Sequence, residues 1–197
     1  MAITATFYKN VGKKLNSTKI PTYGYYDEID LTVELGGVEY ETFNAAAATV
    51  TVKGLSIHPG AAKNKLINAS QVAMEFHAML PVHERPESTE GYEGFCMLRD
   101  ITSNIEEATM HYIIRDHDDE KFEQKKDRFY QIAVYLDSIY GEGTVEVEMN
   151  DSYYNMRRQI EPVMYVVDRA RAAMERLGIT PYSVPVRGGT DGARLSY

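Results

Sequence analysis

The sequence predicts an α+β fold: a four-stranded antiparallel sheet with two helices on one face, in the βαββαβ order of ferredoxin-like sandwiches, extended by a C-terminal helix and strand. Three observations predict it. Period-2 alternation and helical stripes follow one another as strand, helix, strand, strand, helix, strand between about residues 40 and 150. Residues that end such segments stand where each should stop: Gly54, Pro81 and Gly141. A hydrophobic content of 44% with 25% charged residues over 197 positions is enough to bury a core.

Residues 1–37 read as a divergent leader of unknown origin. Lys9, Lys13, Lys14 and Lys19 lie among Asn, Ser, Thr and Gly, a turn follows at Pro21-Thr22-Tyr23-Gly24, and Ile29 to Glu34 has the look of a short strand before Gly36-Gly37. From Val38 the pattern becomes regular. Ala46, Ala48, Val50 and Val52 alternate with Ala47, Thr49, Thr51 and Lys53, as in a strand with one buried face. Leu66, Ala69, Ala73, Phe76 and Leu80 recur at three and four, which predicts a helix ended by Pro81. His83 to Gly91 is a polar loop. Strands are expected at Phe95–Thr102 and Ala108–Arg115, the second alternating Met110, Tyr112 and Ile114 with His111, Ile113 and Arg115. Asp118, Asp119 and Glu120 put negative charge where a helix begins, and Phe122, Phe129, Ala133, Leu136 and Tyr140 mark its buried stripe. Val145, Val147 and Met149 alternate with Glu146 and Glu148 in a last core strand. Beyond it, Pro162 is expected to open a helix with the stripe Val163, Val166, Ala170, Ala173, Leu177, closed by Gly178 and followed by a strand at Val184–Val186. The expected units are therefore 1–37, 38–152 and 153–197.

Composition excludes several roles. With 21 Lys+Arg against 29 Asp+Glu the net charge is −8, the wrong sign for a general phosphate-backbone binder, so no nucleic-acid partner is expected. No run approaches the ~18 apolar residues of a membrane span, and the stretch MAITATFYKN has no long apolar run of the signal-peptide kind. A single cysteine, Cys96, cannot make an internal disulfide. A cytoplasmic location is the expectation, with Cys96 a small core residue.

Some residues invite chemistry. His58-Pro59-Gly60 is a rigid corner that would fix an imidazole where it could donate to a developing oxyanion, or simply a surface histidine in a turn. Asp116-His117-Asp118-Asp119 has a His-x-Asp spacing, but its acids are expected to cap the following helix, since hydrolytic zinc needs three convergent ligands. His77 and His83 have no partner at ligand spacing. His111 and Arg115 share a strand face and could grip one anion, or Arg115 could pair with Glu146 or Glu148. The stretch Asp151 to Arg158 offers Asn155 and Arg157 to a carboxylate or amide, or serves as a hinge. Arg187-Gly188-Gly189-Thr190-Asp191-Gly192 could turn backbone N–H groups toward an anion.

Four strings together resemble peptidase T, the family of cytosolic tripeptide aminopeptidases among the two-zinc exopeptidases: Tyr40 to Ala46, Ile57 to Ala69, Met110 to Asp116, and Arg187 to Ser196. Thr89 to Phe95 and Asp151 to Arg157 match in the same order, so the resemblance covers about residues 38–197. It implies that 38–152 is a lid or dimerisation domain and 153–197 part of a catalytic domain. It implies further that His58 steadies the oxyanion in a dimer partner's active site, and that Arg115, Asn155, Arg157, Arg187, Gly188, Gly189, Thr190 and Asp191 bind peptide. The family's zinc comes from an early His-x-Asp, a bridging Asp, a Glu-Glu pair and a late His, none identifiable here. Thr32-Val33-Glu34 stands where the family has Thr-Val-Asp, and Ala61 where threonine is usual. The expectation is thus a homodimeric lid portion that holds no metal or other cofactor and does not cleave peptides alone. The alternative is a stand-alone binding or assembly module reusing the lid fold.

Overall fold

A computed structural model describes residues 35–195, so the expected leader strand and Glu34 lie outside the described residues. Six strands, β1 (Gly37–Thr42), β2 (Asn44–Lys53), β3 (Phe95–Ser103), β4 (Glu107–Asp116), β5 (Val145–Tyr153) and β6 (Tyr182–Val186), form two sheets. The larger has the order β3-β4-β2-β5, antiparallel throughout. Its centre is the β2–β4 pair, in unbroken register from Asn44 opposite Asp116 to Lys53 opposite Glu107.

The even-numbered residues of β2 and β4 point into the core, with α1 (Ala69–Ala78) and α2 (Asp119–Tyr140) packed on that face. Ala46, Ala48, Val50, Val52, Met110, Tyr112 and Ile114 are essentially inaccessible and meet Val72, Phe76, Phe122, Phe129 and Leu136. Tyr112 and Phe129 meet edge to face at 5.1 Å. Asn68, not Leu66, opens α1: its Oδ1 accepts the Ser70 N–H at 3.1 Å, and Leu66 falls in the preceding turn. Asp118 caps α2 by accepting the Lys121 N–H at 2.9 Å, and Gly141 ends it at a φ of 115°, which disfavours side-chain-bearing residues.

Gly37–Thr42 does not continue the large sheet. It pairs in parallel with β6, Gly37 opposite Tyr182 and Thr42 opposite Val186. A single-turn 3-10 helix at Glu161–Val163 precedes α4 (Tyr165–Arg176), so Pro162 opens that turn rather than the helix. Val167 is the buried residue of α4, whereas Ala173 and Leu177 of the expected stripe are exposed, because the helix has only a two-stranded sheet beneath it. Two short helices, α3 (Arg157–Ile160) and α5 (Asp191–Leu195), complete this part.

Candidate functional site

Two regions carry the residues singled out by the sequence, at opposite ends of β2. At its C-terminal end the chain leaves the sheet through Gly54, where a Cβ would stand 2.1 Å from the Ile105 carbonyl oxygen. Leu55 and Ile67 then exchange both backbone hydrogen bonds, at 2.8 and 3.1 Å, and close a loop with His58 near its tip. His58 is exposed. Its Nδ1 accepts the Gly60 N–H at 3.2 Å, which places the proton of a neutral imidazole on Nε2, and among the described residues nothing pairs with that donor. Pro59 at the first position of the turn pre-sets the backbone.

At the other end, where β2 begins, the two sheets meet. Asn155 is buried and its side chain is used within the chain: Oδ1 accepts from the backbone N–H of Thr42 and of Arg157, both at 3.0 Å, and Nδ2 donates to the His117 carbonyl at 3.1 Å. Asn44 mirrors it, accepting the Asn155 N–H at 2.8 Å and donating to Asp119 at 2.9 Å. Arg157 is exposed and spans Glu161 at 2.7 Å and the buried Glu41 at 3.4 Å. Gly189 packs on Tyr153, whose ring carbon would lie 2.6 Å from any Cβ there. Thr190 Oγ1 accepts the Ala193 N–H at 3.1 Å, so this hydroxyl caps α5, and Asp191 is exposed in its first turn.

Arg115 lies on the face of the large sheet away from the helices. It pairs with neither Glu146 nor Glu148: Nη1 donates to the carbonyls of Ala46 at 3.0 Å and Ile114 at 2.8 Å, and the guanidinium stands 5.8 Å over Tyr153. Glu146 is taken by Lys53. His111 shares no ligand position with Arg115, since it contacts Thr49 Oγ1 at 3.2 Å and Asp100 at 3.9 Å. The structure thus brings Arg115 and Gly189 against Tyr153 and Thr190 against Met156, whose chain neighbours Asn155 and Arg157 turn their side chains to Thr42, His117, Glu41 and Glu161. His58 stands on the order of 30 Å away by the rise of β2.

Two features of the junction, Lys125 and Gly94, carry no motif in the sequence, and a third, His117, stands there only as part of a His-x-Asp spacing. Lys125 occupies a core position of α2 and is buried, its Nζ 2.9 Å from Asp116 Oδ2, off the good hydrogen-bonding angle, and 3.6 Å from Glu84. Its signal was a lysine three residues after Phe122 and four before Phe129, on the stripe itself. Gly94 allows the loop before β3 to touch that pair, since a Cβ would meet Asp116 Oδ2 at 2.1 Å. His117 is buried against Phe43, ring centroids 4.2 Å apart, with Nδ1 3.4 Å from the Tyr92 carbonyl and Nε2 3.2 Å from the Val186 carbonyl. Burial lowers its pKa, although those two carbonyls favour the charged ring. Cys96 is buried as expected, and burial pushes its thiol up to about 12, leaving it inert.

Residues 40–143 match the family described as the peptidase dimerisation domain of the M20 type. The chain belongs to that family. Its relatives include peptidase T of Alkaliphilus oremlandii, 52% identical over 164 residues, and peptidase T of Geobacillus kaustophilus, 54% identical over 163. Each alignment takes in 83% of this chain but 40% of the relative, so the chain spans about two-fifths of their length. Among solved structures, the aminopeptidase PepT of Bacillus cereus ATCC 10987 shares the fold with a TM-score of 0.67 at 19% identity, over 85% of this chain and 44% of that one. A tripeptidase of Staphylococcus aureus gives 0.66 at 18%, with the same coverage.

This M20-type chain does not offer a metal site among its described residues: no three His, Cys, Asp or Glu side chains there are arranged to hold an ion. His117 and Asp119, the nearest to a ligand motif, are committed to backbone carbonyls and to Asn44 and Arg158. No helix among the described residues is long and apolar enough to cross a membrane.

Proposed function

We propose that this chain is the lid and dimerisation portion of a zinc tripeptide aminopeptidase of the peptidase T kind, and that it does not hydrolyse peptides by itself. The observation that carries the reading is the 52–55% identity over 163 or 164 residues to relatives of which it covers 40%. The strand order β3-β4-β2-β5 with both helices on one face supports a ferredoxin-like lid over 38–152, followed by a catalytic-domain segment over 153–197 whose β6 pairs with β1. Zinc, where the full assembly binds it, would be held outside the described residues. The assembly is a cytoplasmic homodimer acting on short peptides.

The separation of His58 from the junction supports a split site. An exposed imidazole on a rigid turn, with its Nε2–H unengaged among the described residues, suits donation to a substrate oxygen held by another subunit, while Arg157 faces the peptide from the junction. The full chain, purified, should show no tripeptide cleavage and no tightly held zinc by elemental analysis. It should scatter light as a dimer at micromolar concentration. Two equivalents of zinc with turnover would refute the inactive reading, and a monomer at high concentration would refute the dimerisation role.

A further inference from the structure

Gly91, Tyr92 and Glu93 turn three successive carbonyl oxygens toward one place. The guanidinium of Arg187 meets two of them, Nη1 donating to Gly91 at 3.0 Å and to Glu93 at 2.7 Å, and its Nη2 donates to Thr89 Oγ1 at 2.8 Å. His117 lies between the third, Tyr92, 3.4 Å from one ring nitrogen, and the carbonyl of Val186, the residue before Arg187, 3.2 Å from the other; a neutral ring donates to one of the two at a time. The guanidinium also lies against Phe43 and Phe95, 5.3 and 5.8 Å from their ring centres. Phe43 is the single residue between β1 and β2, where the chain passes from the small sheet to the large one.

We propose that Arg187 is a positioning residue: with His117 it clasps the 89–94 loop to the end of β6 and so fixes the small sheet against the large one, instead of offering its guanidinium to a substrate. Three of its five N–H donors go to this loop, and the flat cation fits against two rings in a way an ammonium would not. Gly94 lets the same loop sit on Asp116, so it is held at both ends. The clasp reassigns a residue that the resemblance to peptidase T gives to peptide binding, but it stands whether or not the chain serves a peptidase.

The test is hydrogen exchange with NMR on the full chain. The Glu93 amide, bonded to the Glu90 carbonyl at 2.9 Å, reports the loop, and the β1 and β6 amides report the small sheet. Arg187→Gln should speed exchange at Glu93 and along β1 and β6 by about tenfold or more, the scale of a lost charge-assisted hydrogen bond, with Val50 in the centre of the large sheet unchanged. Arg187→Lys should fail to rescue, because the three donors of an ammonium radiate from one nitrogen, whereas the planar fork reaches these acceptors from two. Unchanged exchange in Arg187→Gln, or full protection in Arg187→Lys, would overturn the clasp. The unmodified chain gives a second reading that needs no variant: the Arg187 Nη protons should be resolved and slowly rotating, and unmoved by acetate as a carboxylate probe. A saturable acetate shift at Arg187 accompanied by loosening of Glu93 would show a ligand anchor and refute the proposal.

Discussion

Lys125→Met should be among the most damaging single changes in this chain. The lysine reaches the core through a stripe otherwise made of Phe122, Phe129, Ile132, Ala133 and Leu136, and its ammonium stands between Asp116, whose carboxylate is 1% exposed, and Glu84. Methionine fills nearly the same volume, so little packing is lost. What is lost is the counter-charge: Asp116 keeps the Asp118 N–H on Oδ1, but Oδ2 would face a buried apolar neighbour. Breaking one side of a buried pair costs about 3–5 kcal/mol, which at this chain length lowers the melting temperature by roughly 6–20 °C. Urea unfolding of Lys125→Met, Asp116→Asn and the double variant would measure the coupling. The double variant should recover most of the loss, since replacing both partners removes the stranded charge. A single-variant cost below about 1 kcal/mol, or no recovery in the double variant, would refute the reasoning.

Gly94→Ala should destabilise by about 3 kcal/mol, the upper end of overpacking, because its Cβ would meet the buried Asp116 carboxylate, whose Oδ1 already accepts the Asp118 N–H, and the Arg115 carbonyl at 2.4 Å; thermal unfolding checks it. His58→Ala should change stability by less than about 0.5 kcal/mol, as expected of an exposed side chain whose one bond is to Gly60, and a drop in melting temperature of several degrees would return His58 to a structural role. His77 gives a pH dependence. Arg85 Nη2 lies 3.3 Å from its Nε2 and Tyr112 Oη 3.1 Å from its Nδ1, an arrangement that wants a neutral ring protonated on Nδ1, and burial together with Arg85 lowers its pKa below 6.5. A base whose folded pKa is depressed stabilises fully above its unfolded pKa, so stability should fall as pH drops from about 6.5 through the lowered folded value. His77→Gln should flatten part of that fall in urea titrations at pH 7.5 and 5, leaving the part due to His117, which burial shifts the same way.

The large sheet was legible because its period is imposed by a buried face. Ala46 to Val52 and Met110 to Ile114 must put alternate side chains into one core, and the sequence shows that alternation directly. The strand at Val184–Val186 was legible too, but its pairing was not, because Val38 to Thr42 is short and Tyr182–Val186 lies about 140 residues downstream, a pairing that no local periodicity records. The same distinction runs through the candidate site. His58 was readable from Pro59 and Gly60, since a rigid corner is a local property. Asn155 was picked out for its chemistry, but its neighbours come from Thr42, Asn44 and His117, far along the chain, and they turn its amide into a joint. Arg187 follows the same logic. An arginine before two glycines suggests a hand held out to an anion only until the 89–94 loop is folded beneath it, and then the three acceptors already in place decide where its charge goes.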